Sequence, residues 1–260
     1  DNNNQGINIE NSGGTIIQRN TIRNSLGGNG ITLINAQRTT IGGEDAEERN
    51  TLHDNQYGIH LTNSPGTDDP VNNKNSILRN DFQRIAQTSI TLISNSHNNN
   101  IEWNTITGGN KGVYISRSDN NRLVNNEVQG TQIAAVHLDN AAGSTLQTNT
   151  LHNNNAQGLS LQQVGANTVI RENDVCHNTV DVKCEGSTGT VNLVESIENS
   201  FGGRAPGSGV QCADQEWPRE RVHYFSCIEN PNDTDGDGTR DTRDNCPVLQ
   251  HPNPDQLDTD

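Results

Sequence analysis

The 260 residues carry a formal net charge of −15 and are only 28% hydrophobic and 3% aromatic, too poor for an ordinary layered core in a chain of that length. The acidity excludes nucleic acid and anionic membrane surfaces as partners, because both need basic patches, and no run of about 18 apolar residues exists to cross a bilayer. The sequence opens at Asp1 inside a repeat and stops at Asp260 inside another motif, as a mature form or an excerpt of a longer chain would.

The apolar residues are periodic, which separates this chain from a disordered one of similar composition. Gly6-Ile7-Asn8-Ile9, Gly30-Ile31-Thr32-Leu33 and Gly58-Ile59-His60-Leu61 lead to Ser89-Ile90-Thr91-Leu92, at spacings of 24, 28 and 31. Gly112-Val113-Tyr114-Ile115, Ala135-Val136-His137-Leu138, Gly158-Leu159-Ser160-Leu161 and Asp181-Val182-Lys183-Cys184 then follow at a constant 23. These are eight copies of one alternating strand, inward at its second and fourth positions. Ile7, Leu33, Leu61, Leu92, Ile115, Leu138 and Leu161 should therefore stack inside, one per coil. A second pattern follows each strand: apolar, two residues, Asn, one residue, apolar. It runs from Ile17–Asn20–Ile22 through Ile101–Asn104–Ile106 to Ile170–Asn173–Val175. Asn tolerates the left-handed conformation and is expected at the bend, with stacked amides forming a ladder.

These repeats resemble the right-handed parallel β-helix of the pectate-lyase-like superfamily, over about residues 6–200. Thr40-Ile41-Gly42-Gly43 with Arg49-Asn50-Thr51 also resembles repeats of large bacterial surface proteins. The resemblance implies an all-β solenoid of about eight coils, spanning residues 1–201. It does not fix a function, since the fold hosts lyases, hydrolases, epimerases, adhesins and fibres alike. Two insertions, Glu44–Glu48 and Ser64–Lys74, widen the early spacings and are either binding loops or neutral surface additions.

Residues 202–230 carry Gly202, Pro206, Cys212, Trp217, Tyr224, Phe225 and Cys227, and read as a linker plus a capping hairpin, with Cys212–Cys227 the preferred disulfide. Cys176 and Cys184 are close in sequence, and Cys184 takes an inward strand position; spacing alone leaves the connectivity open. In the last segment, 231–260, Asp233, Asp235, Asp237, Asp241 and Asp244 sit at positions 1, 3, 5, 9 and 12 of a loop with Gly238 at position 6. The Thr239 carbonyl would take position 7, a register that suits Ca2+. Without flanking helices it resembles a thrombospondin type 3 repeat, continued by Asp258 and Asp260. Calcium is therefore the expected cofactor.

The outward third positions of the long strand are Asn8, Thr32, His60, Thr91, Tyr114, His137, Ser160 and Lys183. Polysaccharide-cleaving members of the superfamily work on such a strand face. A Tyr114/His137 pair with Asp139 beside it could move a proton next to a uronate carboxylate while Lys183 neutralises that carboxylate. His53, His152 and His177 are expected to be solvated on the coil exteriors. None of the aspartate-cluster or Arg-x-Lys signatures of pectinolytic enzymes is present. The reading is therefore an extracellular or cell-surface structural or adhesive scaffold. Head-to-tail self-association is suggested by the unprotected first coil, and other surface proteins or a polysaccharide are the further expected partners. A carbohydrate-active enzyme working from Tyr114 and His137 is the alternative.

Overall fold

The computed structural model describes residues 5–66, 74–164, 167–185, 193–202, 210–211 and 222–226. Its strands wind into a parallel β-solenoid with three faces. One face is built from long strands: Ile7–Glu10, Asn29–Ile34, Tyr57–Thr62, Thr88–Ile93, Lys111–Ser116, Ala134–Asp139, Gln157–Gln162 and Val180–Glu185, each paired in parallel with the next. Counted in that order, the first to eighth long strands bracket seven full turns. Two faces of two- to four-residue strands complete each coil. The first runs from Ile16–Ile17 to Thr168–Arg171 and the second from Thr21–Arg23 to Asp174–Cys176. The ten-residue strand Leu193–Gly202 pairs with the last member of each short face and joins them. Where a capping hairpin was expected, Val210–Gln211 adds in parallel to the eighth long strand and Val222–Ser226 to Leu193–Gly202.

The interior follows the alternation read from the sequence. Leu33, Leu61, Leu92, Ile115, Leu138 and Leu161 are all 0% exposed and meet their counterparts in register from strand to strand. Ile7, in the first coil, is only half-buried against this core. Burying each such side chain contributes about 1.5–3 kcal/mol. A coil therefore stands on four or five buried aliphatic residues, which is how so apolar-poor a chain holds together.

The corner between the two short faces is an unbroken asparagine ladder. From Asn20 through Asn50, Asn80, Asn104, Asn126, Asn149 and Asn173 to Asn199, each amide Nδ2 donates to the Oδ1 of the next, at 2.9–3.1 Å. The backbone N–H of each rung donates to that same Oδ1. The second proton of Nδ2 goes to a carbonyl one coil back, as Asn126 to Ile101 and Asn149 to Leu123. Every donor and acceptor of an interior rung's side chain is thus used, as burial demands.

In six of the eight rungs the left-handed residue of this corner is the one before the ladder asparagine: Arg19, Arg79, Trp103, Asn125, Thr148 and Glu172 all have φ between 51 and 59°, whereas Arg49, at the end of the insertion before Asn50, has φ −59°. The expectation that the ladder asparagine itself bends the chain is corrected by this geometry. A left-handed ladder residue would turn its amide out of the column, so the bend falls one residue earlier, where identity is free. Among the described residues, 23 non-glycine positions have positive φ. Each costs about 1–2 kcal/mol, and the ladders and the core over-determine them.

Candidate functional site

The long strands carry the residues singled out for chemistry. Parallel register sets His60, Thr91, Tyr114, His137, Ser160 and Lys183 in one outward row, each beside the next. Thr91 is 6%, His137 9% and Ser160 0% exposed, because stacked neighbours at the strand spacing shield one another. The Tyr114 and His137 rings meet edge to face, with centroids 5.1 Å apart. Tyr114 Oη donates to Asp139 Oδ2 at 3.2 Å, and Ser116 Oγ donates to the same oxygen at 2.9 Å. Tyr114, His137 and Asp139 are therefore brought together as the sequence suggested. Lys183 is not: Ser160 stands between it and His137, putting the lysine two strand spacings away, about 9–10 Å.

A cleft that the sequence reading missed crosses this face at the third to fifth long strands, with a volume of about 490 Å3. The fourth strand contributes the small Thr88 and Thr91 as a floor, with Ile93 at its end. Tyr57 and His60 of the third strand rise on one side, and Lys111 and Tyr114 of the fifth on the other. The Lys111 ammonium lies 4.2 Å from the centre of the Tyr114 ring, a cation–π contact. Burial holds the pKa of His60 below the ordinary histidine value, so it is neutral at pH 7; its Nε2 is 2.9 Å from Thr62 Oγ1. The Thr91 hydroxyl on the floor is buried without a hydrogen-bond partner. The signal was present in the sequence as Thr-Ser-Ile-Thr flanked by Tyr-Gly-Ile-His and Lys-Gly-Val-Tyr, but only register turns large–small–large into a cleft.

The remaining described histidines are engaged rather than simply solvated. His53 Nδ1 lies 2.6 Å from Asp54 Oδ2. The Arg84 guanidinium donates to both Asp54 oxygens and, with His53, holds that carboxyl far below the usual carboxylate range. His152 Nε2 is 3.0 Å from Asp174 Oδ2, and its ring meets that of His177 at 6.2 Å. Among the described residues, no group of three or more His, Cys, Asp or Glu side chains is placed to hold a metal ion. Cys176 and Cys184 are both disulfide-bonded, and Cys184 packs half-buried against the core. Asp233, Asp235, Asp237, Thr239, Asp241, Asp244, Asp258 and Asp260, together with Cys212 and Cys227, lie outside the described residues.

Residues 1–201 match the family described as periplasmic copper-binding protein (NosD). No curated protein matches the sequence. Among solved structures, the GH136 lacto-N-biosidase from Eubacterium ramulus is similar at 13% identity and a TM-score of 0.44, over 82% of this chain. The chain spans 44% of that enzyme's length. QnrB1, a plasmid-mediated fluoroquinolone resistance protein, is similar at 11% identity and a TM-score of 0.22, covering 85% of this chain and 90% of that one. The family match corrects the expected cofactor: its description names copper, where the aspartate spacing had been read for calcium.

Proposed function

The chain belongs to the NosD family of periplasmic copper-binding proteins, and from that premise we propose that it acts outside the cytoplasm as a non-catalytic β-solenoid scaffold that holds a polysaccharide in the cleft over its third to fifth long strands. The cleft itself carries the reading. Its two tyrosine-bearing walls stand two strand spacings apart, about 9–10 Å, a width that admits one pyranose ring between aromatic side chains. Neutral His60, Lys111 and the unpartnered Thr91 hydroxyl offer hydrogen bonds along the ring edge. None of the described side chains lining the cleft is a carboxylate, in a chain whose net charge is −15. With Lys111 as its one cation, the site favours an acidic sugar.

The cleaving alternative draws on the neighbouring Tyr114, His137, Asp139 and Lys183. Here the Tyr114 hydroxyl is already engaged by Asp139, and Lys183, the cation assigned to the uronate, lies two coils from His137. The geometry therefore suits holding better than proton abstraction.

Copper enters from the family description alone. Copper needs converging imidazole, thiolate or thioether donors. The chain has no Met, its two described cysteines are disulfide-bonded, and Asp174 already faces the His152 Nε2. The described residues do not fit a resident copper ion, and no step is assigned to one.

Calorimetric titration with tetragalacturonate and cellotetraose tests the reading. Saturable binding, stronger for tetragalacturonate, is expected, and Tyr57→Ala or Tyr114→Ala should each weaken it about tenfold, or about 1.4 kcal/mol. No new reducing ends should appear. Absence of binding to either oligosaccharide, or unaltered binding by both variants, would overturn the proposal, and released fragments would favour the enzyme.

A further inference from the structure

A second cleft, of about 570 Å3, lies on the first short-strand face. Its making begins with the insertion Glu44–Glu48. The chain leaves the regular coil at Gly42, in the left-handed region at φ +85°, where a Cβ would come within 1.8 Å of the Leu78 carbonyl oxygen. It then closes one 3-10 turn over Ala46–Glu48, fixed by Asp45 N–H donating to Glu48 Oε2 at 3.3 Å and Glu48 N–H donating to the Asp45 carbonyl at 3.0 Å. This turn places Glu44 and Asp45 as one wall. Two coils along, Asn100, Glu102 and Trp103 form the other, above a floor that includes Ser76 and Leu78.

Trp103 is the exceptional residue. It occupies the left-handed bend at φ 59° that other coils fill with Arg, Asn, Thr or Glu, an uncommon place for a bulky aromatic side chain. The bend turns its indole outward, 46% exposed. Among the described residues no carboxylate pairs with Arg79, whose guanidinium carbon sits 4.8 Å from the Trp103 ring centre. Glu102 is engaged by Arg122. Asn100 Oδ1, at the edge of the floor, is buried with no hydrogen-bond partner.

We propose that this cleft is a binding site for a neutral sugar ring, stacked on Trp103 and hydrogen-bonded through its hydroxyls to Asp45, Glu44, Arg79 and Asn100. Charge selects the class. With Glu102 neutralised by Arg122, Glu44 and Asp45 still outnumber Arg79, which repels an anion. The indole already carries a guanidinium on one side, which disfavours a second cation. A polyhydroxyl ring with a C–H face needs donors, acceptors and an aromatic plane without a net charge, and the cleft provides all three. The inference stands apart from the long-strand cleft, whose residues it does not share.

The chain contains two tryptophans, so fluorotryptophan labelling of the full chain gives two fluorine resonances, with Trp103→Phe assigning one. Cellotetraose and chitotetraose should shift the Trp103 signal saturably. Asp45→Ala and Glu44→Gln, both on the exposed turn, should each raise the half-saturating concentration at least about fivefold, and tetragalacturonate should leave the signal in place. Tyr57→Ala should leave this titration unchanged, so failure of the long-strand cleft is read separately. A Trp103 resonance unmoved by either neutral oligosaccharide, moved equally by tetragalacturonate, or equally responsive in both turn variants would overturn the proposal.

Discussion

Two corners of the same coil are built differently. Between the short faces, the asparagine column runs from Asn20 to Asn199 without a break. Between the second short face and the long strands, the equivalent column starts with Ser25 and Asn55 and ends with Thr131, Asn154 and Asn178. In its middle stand the buried Ile85 and the left-handed Gly109, at φ +86°. The unbroken corner carries short strands of two to four residues on either side in coil after coil. The broken one stands just ahead of the fourth and fifth long strands, which form the floor and one wall of the long-strand cleft. Repetition gives the rod its stiffness, and an interruption in repetition gives it a surface that differs from coil to coil.

The contrast can be broken at the interior that both corners share. Leu138→Asp should unfold several coils, since a buried unpaired carboxylate costs more than about 4–5 kcal/mol and each coil rests only on its neighbours; far-ultraviolet circular dichroism would lose most of its β signal. Next in size is the unbroken column. Asn126→Ala leaves the Asn104 N–H and amide, the Ile101 carbonyl and the Asn149 carbonyl oxygen short of a partner. At about 1–3 kcal/mol for each buried group left unpaired, the loss by urea unfolding should be several kcal/mol. Thr131→Ala, in the interrupted column, removes one hydroxyl donor to Asn154 and should cost about 1 kcal/mol.

Gly109→Ala sharpens the difference further. A Cβ there meets the Ile85 carbonyl oxygen at 2.8 Å with the backbone held at positive φ, so about 1–2 kcal/mol should be lost. The accompanying shift of Asn110 and Lys111 should lower oligosaccharide affinity in calorimetry, whereas Asn126→Ala measured in its folded range should not. The smallest effect is that of pH. His60 binds its proton less readily when folded than at the ordinary value near 6.5 in the unfolded chain. Its neutral form's contribution is complete above that value and declines as pH falls below it. The melting temperature should drop from pH 7 to pH 5 by on the order of 2 °C more in the wild type than in His60→Gln.

Much of this was legible in the residues themselves. The 23-residue period placed the inward leucines and isoleucines, because alternation has one solution once a face is buried. The ladder was legible because one residue type recurs at one phase. The bend was misplaced by one position: Arg19, Trp103 and Glu172 share a backbone conformation but no chemistry, so no residue type marks it. The long-strand cleft was invisible because it depends on which side chains from different coils become neighbours, and unequal insertions before Ser89 obscure that register. The Tyr114, His137 and Asp139 contact could be read from a constant spacing of 23. Lys183 was grouped with Tyr114 and His137 although the same spacing also puts Ser160 in between.

In every rung of the asparagine column the side-chain carbonyl faces the preceding coil, since Oδ1 accepts from the residue before it. Amide dipoles so aligned add rather than cancel, as they do in a helix and do not in a sheet of alternating peptide directions. The corner is therefore electrically polar along the solenoid axis, negative toward Asn20 and positive toward Asn199, and each added coil lengthens that dipole.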